Sequence, residues 1–597
     1  MPKNDVLPRL REHLAALDLD GIVVPRFDAH QGESVAPHDE RLRHVTGFSG
    51  SAGIALILAD RAVIFVDGRY QVQVRREIDL DAIEISHFYD FPIERWIAEK
   101  LPRGQRIGIN AMLVPAELRD KLDAAVSKAG GTLISLESDP VDAIWHGQPP
   151  APMGRISAFP LEFAGETSDS KRKRIGARLT ELGADLMLEA QPDNVAWLLN
   201  VRGSDIEYMP MPHSFLLLDK SGKVDWFVDE AKLPNDRDDY ELDGVDIRDP
   251  AALLSTLEAR YGDQAVLVDP QFAPSAAGIA IARGNGRVVR TISPITMAKA
   301  VKNATELQGF RDSHIADGIA WTEFVAWLHD NVPAREAAGN PITELECEAK
   351  ILEFRQKGAH FREASFHSIS ASAANAAMCH YASSEATNAP INSAGPYLLD
   401  SGGQYLGGTT DATRTTAFGP VGDDVRSTYT AVVRGFIALM TAQFPKGTTG
   451  HQLDALARRP LWDLGLDFDH GTGHGVGHYL AVHEHPQRFS KAYNPYPIEA
   501  GVVMTVEPGY YRENEFGLRI ENQVETVDGR NGFLRFETLT LVPIDLSMAK
   551  LDALTRDEIA YLDDYHARVR AVLWDGLSDA ARRRVEQWTS PVAQQRA

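Results

Sequence analysis

Five residues in the C-terminal half have side chains that can work together: Asp400, Asp411, His474, Glu507 and Glu521. They stand in LLDSG, TTDATRT, HGTGHGVG, TVEPGYY and LRIEN, segments that otherwise read as buried strand or glycine-rich turn. Carboxylates are rarely buried unless they are paired or bind metal, because losing water is costly for their charge. Four of them converging on one core repel each other strongly unless cations lie between them. Two divalent ions bring four positive charges, which balances four carboxylates beside a neutral histidine. The chemistry implied is hydrolysis at a dinuclear metal centre.

Strand periodicity explains how these residues can meet. Alternation puts Asp411, Thr413 and Thr415 on one strand face, with Asp400 closing the preceding strand. Glu507 ends a strand just before Pro508-Gly509, and Glu521 is expected on the next strand of the same meander. Antiparallel neighbours ~5 Å apart suit carboxylates that bridge ions ~3.5–4 Å apart. His474 lies between two glycines, where the backbone can curl around an ion, and the glycine pairs around Asp400 are expected to let the backbone approach a ligand. A lone DSG or EPG is usually only a turn. All five in order, with HGTGHGVGH among them, favour the metal reading. Arg519 shares a strand face with Glu521, whereas Arg414 points opposite Asp411 and is assigned to packing. His478 is expected to face solvent.

Bulk properties narrow the class. At 597 residues, two to four domains are expected. The net charge of −23 argues against a nucleic-acid or anionic-membrane partner. No apolar window is long enough to span a bilayer, the start lacks a signal-peptide hydrophobic stretch, and there are only two cysteines, Cys347 and Cys379. A reduced, cytoplasmic setting is the simplest expectation.

The first half carries a faint repeat. HLAALDLDGIVV (His13 to Val24) resembles RLTELGADLMLE (Arg178 to Glu189), and GIALILADRAVIFVDGRY (Gly53 to Tyr70) resembles SFLLLDKSGKVDWFVDE (Ser214 to Glu230). Two successive α/β domains of one type are expected, residues 1–165 and 166–301. From 302 the pattern becomes α+β, with long helices before and between the strands and a helical extension over roughly 547–597. Trp197 and Tyr208 are candidates for an exposed interface.

The C-terminal segment, roughly 301–543, resembles the catalytic domain of the pita-bread metallopeptidases, the family of methionine aminopeptidase, prolidase, creatinase and aminopeptidase P. DSGGQYLGGTTDATRT, HGTGHGVG, EPGYY and FGLRIEN carry the likeness, and WLLNVRGSDIEY and GFSGSAG…VDGRY extend it to the long, three-domain Xaa-Pro aminopeptidases with two creatinase-like N-terminal domains. The resemblance implies that Asp400 holds one metal, Asp411 and Glu521 bridge both, and His474 and Glu507 complete the other. It implies manganese, with zinc or cobalt able to occupy the site, and attack of a metal-bridging hydroxide on the Xaa-Pro bond of a peptide with proline second. Glu507 would move the proton. His380 and His483 would contact the reacting peptide, His470 would line the proline pocket, and Arg519 would orient a ligand carboxylate. A homodimer is also implied. The rival readings are a prolidase, which takes Xaa-Pro dipeptides, and a non-catalytic binding scaffold. One departure from the family pattern is His485-Pro486, where Gly-Pro usually follows His-Glu.

Overall fold

Gly21–Pro25 is buried along its whole length, the mark of a strand covered on both faces. It is one of two central strands in a six-stranded sheet ordered Glu84–His87, Ala62–Val66, Ile54–Leu58, Gly21–Pro25, Arg106–Asn110 and Thr132–Leu136. A second sheet repeats that order with Val245–Arg248, Val224–Phe227, Phe215–Asp219, Leu186–Glu189, Ala265–Val268 and Arg287–Arg290. Strand directions match pair for pair: two antiparallel contacts join the hairpin to its central neighbour, and the outer pairs are parallel. A parallel pair needs a crossover. Helix Ala116–Lys128 supplies it in the first sheet and Ser275–Arg283 in the second. The faint sequence repeat is therefore a repeat of fold.

The computed structural model describes residues 5–259 and 262–595, in two compact units, 1–296 and 297–597. Both six-stranded sheets belong to the first unit. Ser157–Ala158 pairs with Val201–Arg202, so contacts of the second sheet's fold begin before residue 165. Trp197 is a correction to the sequence reading. It is buried, with Lys171 Nζ 4.3 Å from its ring centroid, because its helix, Pro192–Leu199, is apolar and buried along its length.

The second unit opens with helix Ala304–Ala337, started by a reciprocal cap between Asn303 and Glu306. Helix Glu344–Arg355 follows, capped by Thr343. Strand Pro396–Ser401 then pairs with Ile369–Ser372 and Ala412–Ala417 in a three-stranded sheet. A six-stranded sheet runs Gln443–Pro445, Phe533–Thr538, Asn522–Asp528, Val503–Val506, Gly473–Gly475 and Glu484–Phe489. Helices Asp423–Met440 and Gly450–Trp462 cover it through Phe436, Leu453 and Leu461. Helix Arg556–Leu573, the first of the C-terminal extension, joins the same core through Leu562 and Val569. No described helix is long and apolar enough to cross a membrane.

Candidate metal centre

Two sheets bring the five residues together at the ends of their strands. Asp400 is opposite Thr413 in the three-stranded sheet, and Asp411 immediately precedes that sheet's strand Ala412–Ala417. Glu507 follows Val503–Val506, and its N–H donates to Thr472 O at 2.8 Å. His474 lies on the adjacent strand, its N–H bonded to Thr505 Oγ1 at 3.0 Å. The sequence places Glu521 within a strand. It lies instead in a break, because Phe516–Arg519 pairs with Gly509–Arg512 while Asn522–Asp528 joins the larger sheet. At the break its N–H turns to Thr413 O at 3.1 Å, so the change of partner is what carries Glu521 across to Asp411.

Asp411, His474 and Glu521 can each offer a ligand atom within 4.8 Å of the others. His474 Nδ1 is 2.9 Å from Gly475 O, which fixes the proton on Nδ1 and leaves Nε2 as the donor for a metal. That Nε2 is 3.5 Å from Asp411 Oδ2 and 3.7 Å from Glu507 Oε1. Asp400 Oδ1, Asp411 Oδ1 and Glu521 Oε1 are buried and accept no hydrogen bond from any described residue. Burial and mutual repulsion push Asp411 and Glu521 well above the usual carboxylate range, and burial pushes Glu507 up too, despite His474 and Arg519. Unsatisfied buried oxygens facing an imidazole nitrogen fit divalent cations and fit little else.

Arg519 binds this group from behind. Nη2 donates to Asp400 Oδ2 at 2.7 Å and Nε to Thr413 Oγ1 at 3.1 Å, while Thr413 Oγ1 donates to Glu521 Oε2 at 2.7 Å. Arg519 Nη1 reaches Tyr511 Oη at 2.5 Å, which is 2.8 Å from His470 Nε2. His470 Nδ1 lies 2.6 Å from Gly471 O and so carries the proton, leaving Nε2 to accept from Tyr511. Asp400, Arg519, Tyr511 and His470 thus form one hydrogen-bonded line. Tyr511 is absent from the sequence reading, although it lies in the quoted EPGYY.

The other predicted residues lie around this line. The His470 turn is held by the buried Arg458, whose Nη2 donates to His470 O at 2.8 Å. His483 packs its ring edge-on to that of His474, with centroids 4.2 Å apart. His380 is half-buried on the loop after Ala373–Ala377, and Arg519 Nη2 lies 3.4 Å from the preceding residue's carbonyl, Cys379 O. The adjoining Tyr381, outside the predicted set, donates its hydroxyl to Glu344 Oε2 at 2.9 Å and so helps to frame that loop. Arg414, assigned to packing by alternation, is buried and donates to Glu521 O at 2.6 Å and to Tyr565 Oη at 3.0 Å. His478 does not face solvent: it is buried, with its ring 5.6 Å from that of Phe310. A second cluster in the other unit, Asp28, Asp39 and His213, pairs internally. Arg41 donates to Asp39 at 2.8 Å, and His213 Nε2 is 3.3 Å from Asp28 Oδ2.

Comparisons with known proteins agree with this geometry. Metallopeptidase family M24 matches residues 308–528, and the C-terminal region of the same peptidases matches 532–591. Creatinase/prolidase N-terminal domains match 7–143 and 147–306. The chain belongs to metallopeptidase family M24, in the form that carries two creatinase/prolidase-type N-terminal domains. Relatives that match nearly end to end carry one name in common. Aminopeptidase P1 of Arabidopsis thaliana is 34% identical over 99% of this chain and 99% of its own. A probable Xaa-Pro aminopeptidase P of Coccidioides posadasii is 37% identical over 94% of this chain and 89% of its own. The crystal structure of X-prolyl aminopeptidase from Caenorhabditis elegans, described as a cytosolic enzyme with a di-nuclear active site, has a TM-score of 0.93 at 32% identity, covering 99% of this chain and 100% of that one.

Proposed function

We propose that this chain is a dinuclear-metal aminopeptidase that releases the N-terminal residue from peptides with proline at the second position. The observation that carries the reading is the gathering of Asp411 and Glu521, each with a buried, unsatisfied carboxylate oxygen, around His474. Relatives matching 94% or more of the chain under aminopeptidase names favour it over a prolidase. Asp411 and Glu521 would span two ions, Asp400 would hold one, and His474 with Glu507 the other. The ions would supply Lewis acidity and lower the pKa of water at the scissile bond.

The remaining steps belong to the chain's own groups. Glu507, at the end of its strand beside His474, is placed to take a proton and pass it to the departing proline nitrogen. His483, against the His474 ring, would donate to the scissile peptide as charge builds on its oxygen. His380 would contact the peptide near its N-terminal side. His470, tied to Tyr511, would line the pocket for the proline ring. Proline has no N–H and a fixed ring, so a pocket without an acceptor there receives it at low ordering cost. Arg519 would keep Asp400 aimed at its ion.

The oxygen-rich donor set with one imidazole favours manganese, with zinc or cobalt able to substitute. A cytoplasmic location agrees with two free, buried cysteines and with the cytosolic description of the nematode enzyme. A homodimer and the division 1–165, 166–301 and 302–597 complete the proposal. The test is release of the first residue from a tripeptide Xaa-Pro-Xaa by purified protein. Chelation should abolish it and manganese restore it, and Asp411→Ala should lose one ion and turnover with the fold retained. Cleavage of Xaa-Pro dipeptides alone would favour the prolidase. Activity untouched by chelation in metal-free protein would overturn the metal reading.

A further inference from the structure

Glu484, immediately after His483, is buried and carries two lysines on its carboxylate. Lys299 Nζ donates to Oε2 at 2.7 Å, and Lys302 Nζ pairs with Oε1. All three side chains are 2% exposed or less. Glu306, buried on the first turn of the following helix, adds attraction at Lys302, and Lys299 adds repulsion. A buried ion cluster is not the cheapest way to fill this space, because desolvation offsets much of the attraction. What it does supply is a fixed direction. Each carboxylate oxygen has its own ammonium, so rotation or sliding of Glu484 would break a buried ion pair.

The frame that holds the lysines is itself fastened to the sheet of the metal centre. Lys302 N–H donates to Gly501 O at 3.0 Å, and Val301 bridges to Val502. The next residues form the strand Val503–Val506, which Glu507 follows. His483 stands at the bend that opens strand Glu484–Phe489, so fixing Glu484 fixes the backbone from which the His483 ring comes within 4.2 Å of that of His474.

We infer that Lys299 and Lys302 are positioning residues that act through Glu484 to aim His483 at the reacting peptide. The inference rests on the proposed role of His483. A double-mutant cycle on the metal-loaded, full-length enzyme tests it, with kcat and KM for a tripeptide Xaa-Pro-Xaa and bound metal as readouts. Lys302→Met is expected to lower kcat roughly 10- to 100-fold, as a misplaced catalytic contact does. KM should change little and both ions should stay bound. In a His483→Ala background the same substitution should alter kcat by less than about twofold, because the group it positions is gone. An equal loss in both backgrounds, or a loss of bound metal, would make the cluster merely structural and overturn the inference. His483→Ala with parental kcat would instead sink the assignment of His483 itself. Should Lys302→Met not fold, Lys299→Met, which leaves one ammonium on Glu484, enters the same cycle, and a parental kcat there would also overturn the inference.

Discussion

Arg519 Nη2 lies 2.7 Å from Asp400 Oδ2 in a buried pair that ties the metal centre to the Tyr511–His470 line. The guanidinium also donates from Nε to Thr413, which a lysine could not reproduce while still reaching Asp400 and Tyr511. Arg519→Lys is therefore expected to weaken one metal position by 10- to 100-fold, as removal of a group orienting a metal ligand typically does. Metal titration followed by kcat at saturating manganese measures both effects, and unchanged metal affinity would contradict the orienting role.

Tyr511→Phe removes the hydroxyl between Arg519 and His470 without changing the ring. One hydrogen bond to a charged group and one to a neutral imidazole are lost, each on the order of 1–2 kcal/mol. kcat/KM for an Xaa-Pro-Xaa peptide should fall roughly 10-fold or more. Both ions should remain bound, since Tyr511 touches none of the five proposed ligands directly. Steady-state kinetics with metal analysis decides.

Gly473 fixes where His474 stands. A Cβ there would fall inside contact distance of Thr505 O, on the strand leading to Glu507. Gly473→Ala should push the two strands apart, remove metal binding and lower stability by several kcal/mol, in the range of severe core clashes (roughly 1–3 or more). Isothermal titration with manganese and thermal melts would report the two losses together. Retained metal binding would mean that the strands can yield.

His566 gives stability a dependence on acidity. It is fully buried on helix Arg556–Leu573, and its Nε2 accepts from Ile544 N–H at 3.1 Å. Burial, with Arg414 and Arg570 nearby, pushes its pKa down to about 3. The folded state thus holds the ring neutral. Its contribution is complete above the ordinary histidine pKa of about 6.5 and is lost as pH falls towards 3. By linkage, roughly 2 kcal/mol should be gone at pH 5. His566→Gln keeps an acceptor but cannot titrate, so its melting temperature should fall less than the parent's between pH 7 and pH 5. Equal slopes would remove His566 from the account.

Much of the candidate centre was legible in the chain because Asp400, Asp411, Glu507 and Glu521 stand at or beside a strand end, and such ends leave local signals. Asp400 before Ser401-Gly402 and Glu507 before Pro508-Gly509 needed only neighbours to be noticed. The glycines were legible in place but not in purpose. A Cβ on Gly402 would clash with Thr410 O and one on Gly517 with Ala376 O, so close approach is between protein backbones rather than to a ligand. Long-range pairings left no local trace. Tyr511 and His470 are 41 residues apart and Lys299 and Glu484 are 185 apart. Arg414 keeps the packing role that alternation gives it, but alternation could not name its partners: Glu521 O is offered where the chain breaks between two strands, and Tyr565 comes from the helical extension. His478 was misjudged because a glycine-rich turn reads as surface until Phe310 covers it.

The two N-terminal sheets share one strand order and one set of directions while their sequences barely agree. Architecture there depends on connection lengths and an apolar rhythm that many residues can satisfy, so either copy can drift or acquire new surface loops without unfolding. In the catalytic unit the backbone is crowded where the candidate ligands stand, at Gly402 and Gly473. Change in the first half is therefore expected to be borne by its surface loops, away from positions such as Gly154 and Gly284 that are crowded in the same way.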